Sequence, residues 1–223
     1  MPRVRIALAT LTTAIVGMAA LTACSSDSDS TDSTQQADKP AAAPKPITKE
    51  LSQAHLTQAL LDDGETLPHF SLHGHKSVTD GEFCNAAEDA DSAPKGWVRG
   101  SDSSYEYDGS TLHMADIKIC LFDSADAAHQ QYTLWKGTET SKQQSPKKPL
   151  GDENTLVVED DGSVYGYVRS GKVNIRVHVD EVAASDPSGT QAMLAATLKR
   201  LQQLQDGKAA TVTALDEQAA ARQ

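Results

Sequence analysis

Three closely spaced histidines form the most suggestive chemical pattern in the sequence. His69, His73 and His75 read H-x-x-x-H-x-H, and in one extended strand the three odd-numbered imidazoles would project from the same face. Such a face could bind zinc or copper. Same-face neighbours lie about 7 Å apart, so His69 and His73 would be separated by about 13 Å unless the strand bends at Gly74. The sequence therefore favours exposed histidines on an edge strand and no cofactor, with metal binding as the alternative.

One further pattern is typical of catalysis. Ser92-Ala93-Pro94-Lys95 matches S-x-x-K, in which the lysine helps to activate a serine at the start of a helix. Pro94 predicts a loop here, and the Lys-Thr-Gly and Ser-Asp-Asn partner motifs are missing from the sequence. We therefore predict that the protein is not an enzyme and has no catalytic residue. A hydrolase built from dispersed residues is the alternative.

The first 24 residues differ from the rest in charge and hydropathy. Arg3 and Arg5 precede an apolar run over residues 6–20, which suits a signal peptide but falls short of the roughly twenty residues of a membrane span. Leu21-Thr22-Ala23-Cys24 follows and resembles a bacterial lipobox. The resemblance implies that residues 1–23 are removed as a signal peptide and that the Cys24 thiol receives a diacylglyceryl group. Acyl chains of the palmitate type would then anchor the protein on the extracellular face of the cell membrane.

Residues 24–47 read as a lipidated cysteine followed by a flexible linker. The segment is rich in Ser, Asp, Ala and Pro, which bury too little apolar surface to offset the entropy of ordering. Without the two arginines of the signal peptide, the net charge falls from −11 to −13. Cations that could neutralise phosphates are too few, so nucleic acid is excluded as a partner.

Two cysteines remain for the folded domain once Cys24 is set aside. Cys84 and Cys120 form an even pair in an exported, oxidising setting, so we predict that they form a disulfide. The bond would close a loop of about 36 residues, for which chain entropy gives a stabilisation of about 4 kcal/mol.

Hydrophobic periodicity predicts one α+β domain over residues 48–208. The elements read α, β, β, β, α, β, β, β, α, and tight turns such as Asp108-Gly109 join neighbouring strands. Apolar and polar residues alternate over 173–179, as in a half-buried strand. We expect an antiparallel sheet of about five or six strands, with helices packed mainly on one face and one disulfide. Residues 209–223 read as a frayed, polar C-terminal tail.

The whole chain resembles the small, alanine-rich lipoproteins of Streptomyces-type actinobacteria. Besides the lipobox, residues 56–61 leading to Leu67-Pro68, the element Leu150-Gly151-Asp152-Glu153 and the hairpin Val168–Val173 carry the resemblance. A similar order occurs in extracellular sensor-like domains of mycobacterial serine/threonine kinases. The resemblance implies a non-enzymatic binding or sensor-like domain whose partner is an unknown small molecule, wall component or envelope protein. A cell-envelope hydrolase and a metal-binding envelope protein remain the alternatives.

Overall fold

The computed structural model describes residues 45–86, 91–137, 140–146, 148–180 and 187–222. The predicted signal peptide and Cys24 lie outside these residues. Within them, no helix combines the length and the apolar character needed to cross a membrane.

Seven strands form one antiparallel sheet in the order β1-β2-β3-β7-β6-β5-β4. The strands are β1 Phe70–Thr79, β2 Trp97–Tyr107, β3 Ser110–Phe122, β4 Gln143–Gln144, β5 Glu153–Val158, β6 Val164–Ser170 and β7 Val173–Val179. The helices are α1 Gln53–Ala59, α2 Ala125–Lys136, α3 Pro187–Gln205 and α4 Ala214–Ala221. The α+β class and the antiparallel sheet are confirmed.

The expected number of strands, five or six, is wrong because the sheet has seven. The additional strand is β4, which lies in a stretch predicted as a polar loop. Its two glutamines pair with Val157 and Leu156 of β5. A strand of two polar residues has no apolar alternation, so periodicity could not reveal it.

Local sequence explains why the elements begin and end where they do. Asp108 and Gly109, with φ of 50° and 71°, provide the two left-handed residues of the predicted hairpin turn between β2 and β3. The hydroxyl of Ser124 accepts a hydrogen bond from the backbone N–H of Ala127 and caps α2, which ends at Gly137 with φ of 66°.

Most of the helical packing is on one face of the sheet, as predicted. Side chains such as Ile117, Ile119 and Ile175 point towards α1 and α3 and form the larger core; we call this side the α3 face. The opposite side, the α2 face, is only partly covered. There α2 packs on β6 and β7, and the Asn174 side-chain amide donates to the carbonyl of Ala128 at 2.8 Å.

The predicted disulfide between Cys84 and Cys120 is present. Cys84 ends a short 3-10 helix, Gly81–Cys84, and Cys120 lies on the α2 face of β3. Both cysteines are fully buried in a second, smaller core with Phe122 and Tyr132. The bond therefore fixes the short helix against the α2 face.

Packing extends beyond the predicted domain limits at both ends. Ile47, expected in the linker, is fully buried, and its backbone N–H and carbonyl pair with Ser170 and Lys172 beside the β6–β7 turn. At the other end, α4 occupies residues predicted as a frayed tail and packs on α3. Thr213 and Asp216 form a reciprocal capping box at the start of α4. This local signal marks the beginning of a helix within a polar stretch.

Candidate ligand-binding groove

Two rows of side chains cross the α2 face where the central strands pair. The first row is Lys118, Arg176 and Tyr167, and the second is Asp116, His178 and Tyr165, on β3, β7 and β6 in turn. Directly opposed residues of antiparallel strands project to the same side at about 5 Å spacing. The register therefore places two cations, a carboxylate, an imidazole and two phenol rings side by side.

A concave cavity of about 470 Å³ lies over these rows, within the range typical of small-molecule sites. We call it the groove. Its far wall consists of the end of β1, Ser77–Thr79, with Asp80 and the ring of Phe83. Phe83 belongs to the 3-10 helix that the disulfide holds and is 53% exposed despite its size. An exposed aromatic ring at the rim of a polar concavity is typical of a binding surface.

The two cations of the groove form no close ion pair within the described part of the chain. Neither Lys118 nor Arg176 has a carboxylate within 4 Å in the described part of the chain, although Asp102 of β2 lies opposite Lys118 in the register. Each contacts an aromatic ring instead: the Lys118 Nζ lies 5.1 Å from the Phe83 centroid, and the Arg176 Cζ 5.6 Å from that of Trp135. Burial, together with the charge of Arg176, lowers the pKa of Lys118 to about 8.

The second row holds a carboxylate in its ionised form. Burial disfavours the charge of Asp116, but His178, the hydroxyl of Ser104 and nearby Lys118 together lower its pKa below the usual value. His178 lies between two carboxylates, with its Nδ1 3.9 Å from Asp116 Oδ2 and its Nε2 3.6 Å from Asp180 Oδ1. Its ring stacks on Tyr165 with centroids 4.2 Å apart. Asp116 therefore has close hydrogen-bonding and ionic neighbours, whereas the nearest carboxylates to the first-row cations on the described residues lie beyond ion-pair distance.

Aromatic rings cluster at the β6 side of the groove, where Tyr165 lines the cavity. Tyr165 and Tyr167 are parallel with centroids 6.1 Å apart, and Tyr167 lies 6.2 Å from Trp135. Burial raises the pKa of both tyrosines, so their hydroxyls stay protonated at physiological pH. Within the groove, the rings of Tyr165 and Phe83 provide apolar surface near the two cations.

The structure does not bring the three histidines of the sequence pattern together as a metal site. His69 Nδ1 lies 2.8 Å from Asp108, while His73 pairs with Glu106. Gly74 has φ of 72° and lies in a break of the β1–β2 register, so the strand does not keep the regular alternation that the pattern assumed. Among the described residues, no group of three His, Cys, Asp or Glu side chains is placed to hold a metal ion.

The described histidines also do not form a nucleophile–base pair. His69, His73, His129 and His178 all have carboxylate neighbours. The Ser104 hydroxyl, the nearest to His178 in the register, donates to Asp116 instead. Ser92 and Lys95 of the S-x-x-K pattern lie in an exposed loop without a helix start. The geometry therefore offers no activated serine on these residues.

The sequence pointed to Tyr165 as one of several strand aromatics that could mark a ligand groove, but sequence reasoning missed the cation pair of the groove, Lys118 and Arg176. The alternation in β3 and β7 showed that Lys118, Arg176 and His178 share the polar side of their strands. That signal could have grouped them within each strand. It could not show that β3 and β7 are adjacent strands, or that Lys118 pairs with Arg176 across them. The two strands are separated by 50 residues of sequence, and register between distant strands depends on tertiary packing.

The fold is shared with a known extracellular domain. The extracellular domain of PknH from Mycobacterium tuberculosis matches this chain with a TM-score of 0.50 and 12% sequence identity, over 70% of this chain and 98% of that one. No protein-family profile and no curated protein matches. The expected resemblance to extracellular domains of mycobacterial kinases is thereby confirmed at the level of fold.

Proposed function

We propose that this protein is an exported lipoprotein whose domain binds a ligand of the cell envelope in the groove without chemically changing it. The N-terminal signal, lipobox and linker support attachment to the extracellular face of the membrane through diacylglyceryl-Cys24. The buried Cys84–Cys120 disulfide supports an oxidising location. The fold shared with an extracellular domain, and the resemblance to actinobacterial lipoproteins, point to the same setting.

The observation that carries the binding role is the groove itself. Two cations on central strands of the sheet face a cavity of about 470 Å³ without a carboxylate partner within 4 Å on the described residues. Cations that line a concavity without a close ion pair on the described residues are suited to bind a group of opposite charge from outside the chain. The absence of a nucleophile–base pair on the described histidines favours binding over hydrolysis.

Attachment is tested by labelling cells with an alkyne-bearing palmitate analogue. The wild-type protein is expected to acquire the label and to fractionate with the membrane, whereas Cys24→Ala should acquire none and stay in its precursor form. A Cys24→Ala protein that is labelled and processed like the wild type would disprove the anchor.

Binding is tested by native mass spectrometry of the full-length protein extracted from its own membrane in mild detergent. We expect a co-purifying small molecule that is diminished by Tyr165→Ala, which removes part of the groove wall. Tyr107→Ala is the matched control, because Tyr107 packs against Phe70 away from the groove. No bound species, even after addition of digested cell envelope, would contradict the proposed function.

A further inference from the structure

We propose that the groove binds an oxyanion, a carboxylate or phosphate group of its ligand, between Lys118 and Arg176. This inference rests on the proposed function, because it names the chemistry that the same groove recognises. Lys118 and Arg176 are direct cross-strand neighbours and point into the cavity from the two innermost strands of that region.

The two adjacent cations of the groove belong to a chain that is acidic as a whole. The chain has 31 acidic and 20 basic residues, so carboxylates are abundant. Many other described cations contact a carboxylate within 4 Å: Lys45, Lys76, Arg99, Lys142, Arg169, Lys199 and Arg200. Among the described residues, Lys118 and Arg176 lack such a contact, as do Lys136 and Lys172, but Lys118 and Arg176 are direct cross-strand neighbours that line one cavity. An anion supplied by a ligand would form ion pairs with these two cations.

The fold keeps these two like charges together at a cost. Like charges directly opposite each other destabilise a strand pair, and partial burial adds a desolvation penalty. Burial and then the charge of Arg176 lower the pKa of Lys118 to about 8, while Asp102 and Asp116 partly oppose the shift. An arrangement that weakens the fold without a local benefit is typical of a functional position.

Each of the two cationic groups contacts an aromatic ring. Phe83 contacts the Lys118 ammonium from the β1 side, and Trp135 contacts the Arg176 guanidinium from the α2 side. An aromatic face stabilises a cation without neutralising it, so both charges remain able to attract an anion. A guanidinium and an ammonium side by side suit an oxyanion, because the first offers paired donors and the second a mobile point charge.

Carboxylates around the pair set the selectivity. Asp116 already accepts a hydrogen bond from Ser104 and lies near His178. The side chain of Asp102, opposite Lys118, has no hydrogen bond or ion pair with the described residues, although its charge favours the ammonium form of Lys118, and it is the carboxylate that an incoming anion would meet. Its negative charge should weaken anion binding by repulsion. Asp102→Asn is therefore expected to strengthen anion binding, whereas loss of a groove cation should weaken it.

The experiment is an NMR titration of the full-length protein in non-ionic detergent at pH 7 and constant ionic strength set with sodium chloride. The reporter is the Arg176 Nε–Hε signal, and the probes are sodium phosphate, sodium acetate, N-acetylglucosamine and tetramethylammonium. We expect saturable shifts with phosphate or acetate, and the tighter of the two identifies the oxyanion. Lys118→Gln should weaken binding by about tenfold or more, as expected for loss of one charge-assisted contact.

Two further variants distinguish a site from general charge attraction. Asp102→Asn should bind the anion more tightly, and Lys208→Gln, which removes an exposed lysine outside the groove, should leave the affinity unchanged. Equal weakening by Lys208→Gln, or saturation only with the neutral or cationic probe, would overturn the inference. If native mass spectrometry finds a groove ligand but neither phosphate nor acetate binds, the proposed function stands and the oxyanion inference is wrong. If no groove ligand is found and no anion binds, the proposed function and the oxyanion inference are both wrong.

Discussion

At neutral pH the ammonium group of Lys118 destabilises the fold that holds it. We expect Lys118→Met, which keeps the apolar stem and removes the charge, to raise the free energy of unfolding by about 1–2 kcal/mol at pH 7, allowing for solvent screening of a partly exposed group. Urea unfolding of both proteins measures the difference. Lys208→Met is the control and should change stability by less than about 0.5 kcal/mol.

The same residue gives a pH dependence of definite sign. The pKa of Lys118 is about 8 in the folded state and 10.5 ordinarily, so between these values the unfolded chain binds more protons and stability rises with pH. The charged and titratable groups that line the groove around it are Asp80, Asp102, Asp116, Arg176 and His178. Tyr105 and Tyr167, whose pKa burial raises, oppose the trend above about pH 10 because the unfolded chain then loses their protons first. The advantage of Lys118→Met should therefore shrink from pH 8 to 10, and a constant difference would refute this explanation.

The chemical types of the groove residues could be predicted from the sequence, but their pairing could not. Alternation in residues 173–179 separated Arg176 and His178 from the core side chains correctly. Whether Arg176 would meet an aspartate or a lysine across the strand depended on register. A shift by two residues would have opposed Arg176 to Asp116 and formed an ordinary ion pair.

At the scale of elements, the disulfide fixes the 3-10 helix that carries the groove wall. Cys84 and Cys120 are separated by 36 residues, so replacing both with serine should cost about 3–4 kcal/mol of unfolding free energy, mainly through greater entropy of the unfolded chain. Thermal or urea unfolding of the double variant checks the value. Phe83→Ala changes the same helix but removes an exposed ring, so it should alter stability by less than about 0.5 kcal/mol. A double variant as stable as the wild type would show that packing alone holds the helix.

Elements with a strong period or a clear boundary signal were predictable, and elements held only by tertiary contacts were not. The hairpin at Asp108-Gly109 and the helix between Ser124 and Gly137 follow from turn and capping residues that act locally. Strand β4 exists because its backbone pairs with β5, and it carries no apolar signal of its own. Helix α4 had a capping box, but its polar and alanine-rich sequence concealed how it packs on α3.

At the scale of the whole domain, residues 45–49 form a strap that joins α3 to the β6–β7 turn. The Gln205 amide oxygen accepts from the backbone N–H groups of Thr48 and Lys49, and Ile47 fills the space beside Gly171. A Cβ added at Gly171 would lie 1.9 Å from the Ile47 carbonyl oxygen, and its φ is 57°. Composition alone assigned Ile47 to the linker, because one isoleucine among polar residues gives no periodic signal.

Gly171→Ala should therefore lower the free energy of unfolding by about 2–4 kcal/mol. The substitution strains the backbone at positive φ, and its Cβ clashes with the Ile47 carbonyl, so the strap must move. Gly64→Ala is the matched control. Gly64 has φ of 79°, but a Cβ there would meet nothing within 4 Å, so only the conformational cost of about 1 kcal/mol applies. Equal losses in the two variants, measured by urea unfolding, would rule out a structural role for the strap.

The central claim is that the groove holds a ligand in the native envelope. The rate at which the Lys118 amine is acylated indicates directly whether the groove is occupied. Its pKa of about 8 makes its amine unusually reactive towards an acylating reagent at pH 8, where an exposed lysine stays largely protonated. Acylation of Lys118 relative to Lys208 can be measured by mass spectrometry in intact envelopes and in purified, washed full-length protein. We predict that Lys118 is protected in the envelope and becomes the faster-labelled residue after washing, while Lys208 is unchanged. Equal labelling of Lys118 in both states would contradict occupation of the groove.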